Sequence, residues 1–209
     1  MSVKSFSFNE MLELTGENAA TLRNDRRHGQ AVAAFGAAEP SGHNKWLLVD
    51  CVAMRIRDQL TERGMKRKLA AWYVLAFSDQ WLEGVSRVEH QQQAILLAVA
   101  DLGGGEWWAA FGAAEKFLAF LKAQALPKPP ERLYTVELAE IMNDIHQRAQ
   151  KAGIHLGDFI LAPNHPQLVQ WTTAFRNARE KELAQWFKKP PRGPSERERR
   201  AFEDVLCTI

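Results

Sequence analysis

Cysteine is scarce in this sequence, and long apolar runs are missing. Among the 209 residues, Cys51 and Cys207 are the two cysteines, which excludes a disulfide framework or a cysteine-rich zinc site within one chain. Apolar runs such as residues 94–100 are far shorter than the roughly 20 residues that cross a bilayer. The N-terminus also lacks the basic segment and apolar stretch of a secretory signal. We therefore expect a cytoplasmic protein that does not contact a membrane.

A strong charge of one sign is missing as well. The formal net charge is +2, and residues 85–170 carry 7 Lys and Arg against 9 Asp and Glu. Residues 171–209 carry 9 against 6, so the C-terminal end is basic. Hydrophobic residues make up 46% and charged residues 25%, which is ordinary for a globular protein and argues against disorder.

Motifs for catalysis are absent too. The candidate ligands His146, His155, Asp158 and His165 have no spacing that matches a metal motif. The three glycines 103–105 lack the following Lys-Ser/Thr pair of a phosphate-binding loop, and a Gly-x-Ser-x-Gly nucleophile turn is not found. We expect a protein that is not an enzyme and needs neither metal nor cofactor. The alternative, an enzyme, requires the four His and Asp side chains to converge in a pocket.

The N-terminal residues predict two short helices separated by a tight turn. Ser7-Phe8-Asn9-Glu10 fits a capping box, which predicts a helix over residues 8–14. Thr15-Gly16 ends that helix, since glycine tolerates the left-handed conformation of a helix C-terminus. Asn18 is a favoured N-cap and predicts a second helix that carries Leu22 inward.

A β-hairpin and longer helices are predicted to follow. The Gly- and Ser-rich stretch before Trp46 indicates a loop or hairpin whose second strand lies at residues 45–48. Asp50 is predicted to cap a helix over 51–63, and a further helix is expected over 65–83.

The remaining segments are less regular. Residues 94–100 fit a buried strand or a helix segment, and the strand is favoured. Further helices are predicted over 113–125, 136–152 and 167–188. The predicted units are residues 1–84, residues 85–188 for dimerisation or effector contacts, and a basic tail over 189–209.

The segment Leu14-Thr15-Gly16-Glu17-Asn18-Ala19-Ala20-Thr21-Leu22-Arg23 resembles the start of the MerR-type winged helix-turn-helix regulators. In that family a Thr-Gly turn leads into a recognition helix that ends in Thr-Leu-Arg. The resemblance continues through residues 42–46 as the second wing strand and through residues 60–65 as the end of the helix after the wing. It implies a mainly α fold with a small β component, in which a winged helix-turn-helix precedes a helical or α+β C-terminal domain.

The resemblance implies binding of double-stranded DNA. A recognition helix keeps one apolar face for the core and offers polar groups to base edges and phosphates. The alternative is that its arginines form an ordinary solvated face. The candidate DNA-binding residues are Asn18, Ala20, Thr21, Arg23, Asn24, Arg26, Arg27, His28, His43, Asn44, Lys45 and Arg55.

Two further groups of side chains leave more than one interpretation open. The basic residues Arg55, Arg57, Arg63, Lys66, Arg67 and Lys68 fit a phosphate-contacting surface or an ordinary solvated one. Trp107, Trp108 and Phe111 fit a core cluster, a dimer interface or an apolar ligand pocket.

The function expected from the sequence is a transcriptional regulator that binds DNA as a homodimer, because one short recognition helix rarely supplies enough affinity alone. The alternative is a DNA-binding assembly component of a phage or mobile element, similar to a small terminase subunit or an excisionase. In that case the C-terminal domain docks a partner protein, and sequence preference is modest.

Overall fold

A computed structural model describes residues 4–27, 32, 46–91, 94–104, 106–114, 116–117 and 129–157. Helices predominate in this part of the chain, and two small antiparallel sheets accompany them. The prediction of a mainly α chain with a small β component is confirmed. In chain order, the elements are β1 (Ser5–Phe6), α1 (Phe8–Thr15), α2 (Ala19–Arg27), β2 (Trp46–Leu47), α3 (Leu48–Glu62), α4 (Arg67–Ala76), α5 (Ser78–Gln91), β3 (Ile95–Gly103), β4 (Glu106–Ala113), β5 (Arg132–Glu137) and α6 (Leu138–Ala152).

Local hydrogen bonds set the ends of α1 and the start of α2. The Ser7 amide donates to the Glu10 carboxylate at 2.8 Å, and the Glu10 amide donates to the Ser7 hydroxyl at 3.3 Å. Gly16 closes α1 with φ at 69°, in the left-handed region. The Ala20 amide donates to the Asn18 side-chain oxygen at 2.8 Å and so caps α2. The predicted capping box, turn and N-cap are all confirmed.

The small sheet joins the N-terminus to the start of α3. Strands β1 and β2 pair antiparallel, with Phe6 opposite Trp46. The predicted strand at residues 45–48 is therefore present, although α3 begins earlier than expected, at Leu48. The Leu47 amide donates to the Asp50 carboxylate at 2.8 Å, so Asp50 caps α3 from inside its first turn.

The single helix predicted over residues 65–83 is two helices. Phe77, at φ −110° and ψ 30°, ends α4 before α5 begins at Ser78. Tyr73, Phe77 and Trp81 are all buried in the core, but they do not form the stripe of one continuous helix. The boundary predicted after residue 84 lies inside α5.

The second sheet has the order β4-β3-β5 and is antiparallel throughout. Strand β3 confirms the strand favoured at residues 94–100, whereas β4 and β5 were not predicted. In the register, Val99 lies opposite Ala109 on one side and Tyr134 on the other. Helix α6 begins two residues later than predicted, because residues 136 and 137 complete β5.

The helices pack against one face of this sheet. Their shared hydrophobic cluster includes Leu14 and Val52 from the N-terminal helices together with Val99, Val136 and Ile141 from beyond residue 84. The core therefore continues across the predicted domain boundary. The opposite face of the sheet carries a smaller cluster, which consists of Ala98, Ala100, Leu102, Trp108, Ala110 and Phe117.

Candidate nucleic-acid interface

Helix α2 has a buried side and an exposed side. Its two buried side chains among those described are Leu22, fully buried, and Asp25, 2% exposed. The predicted inward position of Leu22 is confirmed. The exposed residues of α2 and its cap are Asn18, Ala20, Thr21, Arg23, Asn24 and Arg27.

Two of the exposed residues also contact the protein itself. The guanidinium group of Arg23 lies 5.8 Å from the centroid of the Phe8 ring in α1, within the range of a cation–π contact. The side-chain oxygen of Asn18 is occupied by the helix cap. Both residues are thereby oriented at the surface of α2.

A buried network of five charged side chains lies beneath α2. We call it the ionic cluster, and its members are Glu17, Asp25, Arg57, Asp58 and Arg67. Arg57 of α3 is fully buried; it donates to Asp25 at 3.1 Å, to Asp58 at 2.8–2.9 Å and to Glu17. Burial of a charge is costly unless it is paired and hydrogen-bonded, and each described partner here is of opposite sign.

Arg67, at the first turn of α4, completes the cluster from the other side. Its Nε lies 2.9 Å and 3.1 Å from the two carboxylate oxygens of Asp25, and its Nη2 lies 2.6 Å from one of them. The same guanidinium group reaches Asp58 at 3.0 Å and Glu17 at 2.6 Å. The planar fork of arginine suits this multiple contact, which a lysine ammonium group would not reproduce.

The cluster contains three carboxylates and two guanidinium groups, a formal charge of −1. Burial, and next the charge of Asp58, raise the pKa of Glu17 above its ordinary value, although Arg57 and Arg67 act in the opposite sense. For Arg67, burial disfavours the charged form, but the hydrogen bond to Asp25 and the nearby carboxylates outweigh it and raise its pKa. The Arg67 guanidinium group therefore stays charged, and the pKa of Glu17 lies above that of an ordinary glutamate.

The cluster changes the electrostatics of the helix surface. Asp25 is the one acidic residue in the sequence of α2, and Glu17 is the acidic residue in the preceding turn. Their side chains are 2% and 5% exposed and are paired with arginines. The exposed side of α2 is left with Arg23 and Arg27 and with uncharged polar groups.

Arg55 lies elsewhere. It is two residues from Arg57, about 200° around α3, and its side chain forms an ion pair with Asp144 of α6 at 2.8 Å. The sequence placed Arg55 with the DNA-binding residues on charge alone; the structure places it between α3 and α6, apart from the exposed face of α2. The interpretation of Arg57 as a surface residue is wrong, because its side chain is fully buried in the ionic cluster.

Of the predicted second wing strand, residues 42–46, Trp46 is described and the other residues lie outside the described ranges. His28, His43, Asn44 and Lys45 lie there, as does the side chain of Arg26. The structure therefore brings together the α2 part of the predicted interface, and the wing part stays a prediction.

The three aromatic residues of the predicted interface or pocket lie on β4. Trp107 packs against Tyr73 of α4, with ring centroids 4.6 Å apart, while Trp108 faces the other side of the sheet and lies 6.1 Å from Phe117. Phe111 is buried in the larger cluster and has the Arg87 guanidinium 5.4 Å from its ring. They belong to opposite faces of one sheet and pack within the described core.

The ionic cluster was missed by sequence reasoning. Its signals are Glu17 just before α2 and Asp25 within the otherwise basic α2, together with the adjacent Arg57-Asp58 pair in the apolar helix α3. Charges inside a predicted apolar stripe indicate buried partners, but sequence alone does not say which.

The residues of the enzyme alternative have ordinary local contacts where they are described. His146 Nδ1 lies 2.8 Å from the Met142 carbonyl oxygen one turn earlier, and the Gly157 amide donates to His155 Nδ1 at 3.0 Å. Asp158 and His165 lie outside the described residues. Within the described part of the chain, groups of three His, Cys, Asp or Glu side chains that could hold a metal ion are not found.

Compared with models of known protein families and with curated protein sequences, the chain matches none. Among the helices of the described ranges, none has the length and apolar character needed to cross a membrane.

Proposed function

We propose that this chain is a sequence-specific DNA-binding transcriptional regulator that acts as a homodimer, with α2 as its recognition helix. The observation that carries the proposal is the exposed face of α2. Its carboxylate is withdrawn into the ionic cluster, and its polar and basic side chains point outward. Such a regulator works in the cytoplasm and needs no cofactor to bind DNA.

The order of elements also supports the proposal. Helix α1, a tight turn at Gly16, helix α2, strand β2 and helix α3 follow one another as the resemblance to MerR-type regulators implies. Pairing of β1 with β2 brings the start of α1 next to the start of α3. The winged helix-turn-helix is our assignment for this arrangement.

The size and chemistry of α2 suit a major groove. An α-helix with its side chains is about 10–12 Å across and so fits a major groove about 12 Å wide, and the nine residues of α2 offer about 13.5 Å of helix to that groove. Arg23 can donate its two-pronged hydrogen bonds to guanine, and Asn24 can pair with adenine. Thr21 can contact a thymine methyl group or a phosphate.

Dimerisation supplies the second half of the contact. Two copies related by a two-fold axis place two α2 helices in successive major grooves, about 34 Å apart. In this proposal the part of the chain beyond residue 84 holds the copies together and carries effector or partner contacts.

The first experiment is a genome-fragment pull-down with the full chain, followed by sequencing, at two salt concentrations. We expect enrichment of a short palindrome that survives the higher salt. Diffuse recovery that salt abolishes would favour a packaging or assembly role instead, since nonspecific binding depends steeply on salt. If no DNA is recovered at either salt concentration, the proposal is wrong.

A substitution tests the role of α2 directly. Arg23→Ala should weaken binding to the enriched site by about 1–3 kcal/mol, if this side chain reads a base. Fluorescence anisotropy with the palindrome and with a scrambled duplex would measure it.

The matched control is Lys151→Ala, which removes the same charge from an exposed position in the last turn of α6. It should leave affinity within about twofold, as is usual for a charge outside the contact surface. Equal losses in both variants would show that net charge, and not α2, governs binding.

A further inference from the structure

We infer that the ionic cluster sets the orientation of α2, so that Asp25 and Arg67 are positioning residues for DNA readout. The inference rests on the proposed function, since it concerns how the same helix is held. The cluster residues are withdrawn from the exposed face, so they act through α2 and not by touching DNA.

Helix α2 has few side chains with which to hold its place. Leu22 and Asp25 are its buried side chains among those described. An apolar contact such as that of Leu22 is non-directional and resists separation more than rotation. Hydrogen bonds to Asp25 depend on distance and angle, so they restrict rotation of the helix about its axis.

The cluster holds α2 from two directions and at two points. Arg57 reaches Asp25 from α3, and Arg67 reaches it from α4. Both guanidinium groups also reach Glu17, in the turn before α2. One contact point lies before the first turn of α2 and the other in its last part, so the tilt of the helix is restricted as well.

Hydrogen bonding to base edges requires α2 to be held in a fixed orientation, whereas binding to phosphates does not. A bidentate contact to a base edge needs both hydrogen bonds in line, while the attraction to phosphates depends mainly on charge. A loosened α2 should therefore lose specific affinity and keep nonspecific affinity.

The substitution Asp25→Asn tests this inference, because electrostatics and helix orientation predict opposite changes in DNA affinity. The change keeps the shape of the side chain and removes a negative charge near the DNA, so electrostatics alone predicts tighter binding. We expect the opposite for the palindrome, a loss of about tenfold, which corresponds to about one base contact. Affinity for the scrambled duplex should stay the same or rise.

The control is Glu13→Gln, which makes the same charge change on the exposed side of neighbouring α1. Hydrogen exchange followed by mass spectrometry gives a readout without DNA. Amides of residues 18–27 should exchange faster in Asp25→Asn and at the wild-type rate in Glu13→Gln. If Asp25→Asn binds the palindrome as tightly as Glu13→Gln does, the inference is overturned.

Arg67→Lys covers the case in which Asp25→Asn does not fold. Its side chain is 26% exposed and the charge is kept, but the fork that spans Asp25 and Glu17 is lost. We expect a folded protein with the same specific loss and faster exchange in α2; wild-type behaviour in both assays would overturn the inference.

The exchange assay separates this inference from the proposed function. If the wild-type chain binds no DNA, the proposed function fails. Faster exchange in Asp25→Asn than in wild type, confined to residues 18–27, would still show that the cluster orients α2. A uniform change along the chain would overturn that as well.

Discussion

Burial and the neighbouring arginines have opposite effects on the pKa of Glu17. Its side chain is 5% exposed and faces both arginines of the ionic cluster, yet it shares the space with Asp58 and Asp25. Buried ion pairs contribute little net stability, because the cost of removing charges from water offsets their attraction. The main effect of this cluster is therefore the specific hydrogen-bond geometry that it imposes, and not a gain in net stability.

We predict that Glu17→Gln changes the pH dependence of stability. Burial raises the pKa of Glu17 above 4.5, so the folded state binds a proton that the unfolded state releases. This stabilisation is complete below the unfolded pKa and is lost as pH rises through the folded pKa. Relative to wild type, the free energy of unfolding of Glu17→Gln should therefore rise as the pH increases above 4.5, as urea titrations at each pH would show.

Glu10→Gln is the matched control, with the opposite sign. Backbone and side-chain hydrogen bonds with Ser7 lower the pKa of Glu10, so its contribution is present above 4.5 and lost as pH falls. The difference between Glu10→Gln and wild type should grow more unfavourable as pH rises. The same slope in both variants would contradict the raised pKa of Glu17.

At the scale of elements, the turn between α1 and α2 has a neighbour from α6, which is distant in the sequence. Gly16 has φ at +69°, and a Cβ placed there would collide with the Arg148 guanidinium, 2.8 Å from its Cζ. Arg148 is held by Asp144 at 2.9–3.0 Å, and Asp144 also binds Arg55 of α3. Helix α6 thus packs directly onto the turn that starts α2.

We predict that Gly16→Ala destabilises the fold more than Gly153→Ala does. Both glycines are left-handed, at φ +69° and +65°, so each substitution costs about 1–2 kcal/mol from the backbone. At Gly153 the added Cβ meets no described atom within 4 Å, whereas at Gly16 it displaces Arg148. Thermal unfolding of both variants would measure the difference.

A double-mutant cycle with Arg148→Ala isolates the collision. The combination of Gly16→Ala and Arg148→Ala should recover the excess loss and leave the backbone cost, which gives a coupling energy between the two sites. Additive effects would mean that Arg148 does not restrict the turn.

Features decided by neighbouring residues were predictable from the sequence. The capping box at Ser7, the turn at Gly16 and the cap at Asn18 each involve residues within four positions of one another. The inward position of Leu22 followed from helical spacing.

Features that depend on residues distant in the sequence were not predictable from it. Strand β4 lacks polar alternation because both of its faces are covered, and its pairing with β3 is tertiary. The break at Phe77 has no Gly or Pro to mark it. Arg55 and Arg57 looked alike as charges in one helix, but Asp144 and Asp25 draw them to opposite sides.

At the scale of the whole molecule, α5 links the parts of the core. Gly84, near its middle, faces Leu138 of α6 and Ile95 of β3, and a Cβ there would lie 2.6 Å and 3.2 Å from their side-chain methyl carbons. The helix therefore packs closely against α6 and β3 at the residue where a domain boundary was predicted.

We predict that Gly84→Ala lowers the stability of the whole molecule. Alanine improves helix propensity by up to about 1 kcal/mol, but overpacking against buried Leu138 costs about 1–3 kcal/mol, so the net change is a loss. Because one hydrophobic cluster spans both sides of α5, tryptophan fluorescence and far-UV circular dichroism should report one shared transition at a lower Tm. Two separate transitions, with only one displaced, would indicate two independent domains.

The contact of α6 with the N-terminal elements has a consequence for how the protein is made. Arg148 reaches Gly16, and the Lys4 ammonium group donates to the carbonyl oxygen of His155, so the first and last described segments, residues 4–27 and 129–157, are in contact. A ribosome releases α1 and α2 long before it has polymerised α6, and nascent chains fold from the N-terminus as they emerge. Nascent chains arrested before residue 148 would therefore hold α2 without the contact between Arg148 and the turn at Gly16.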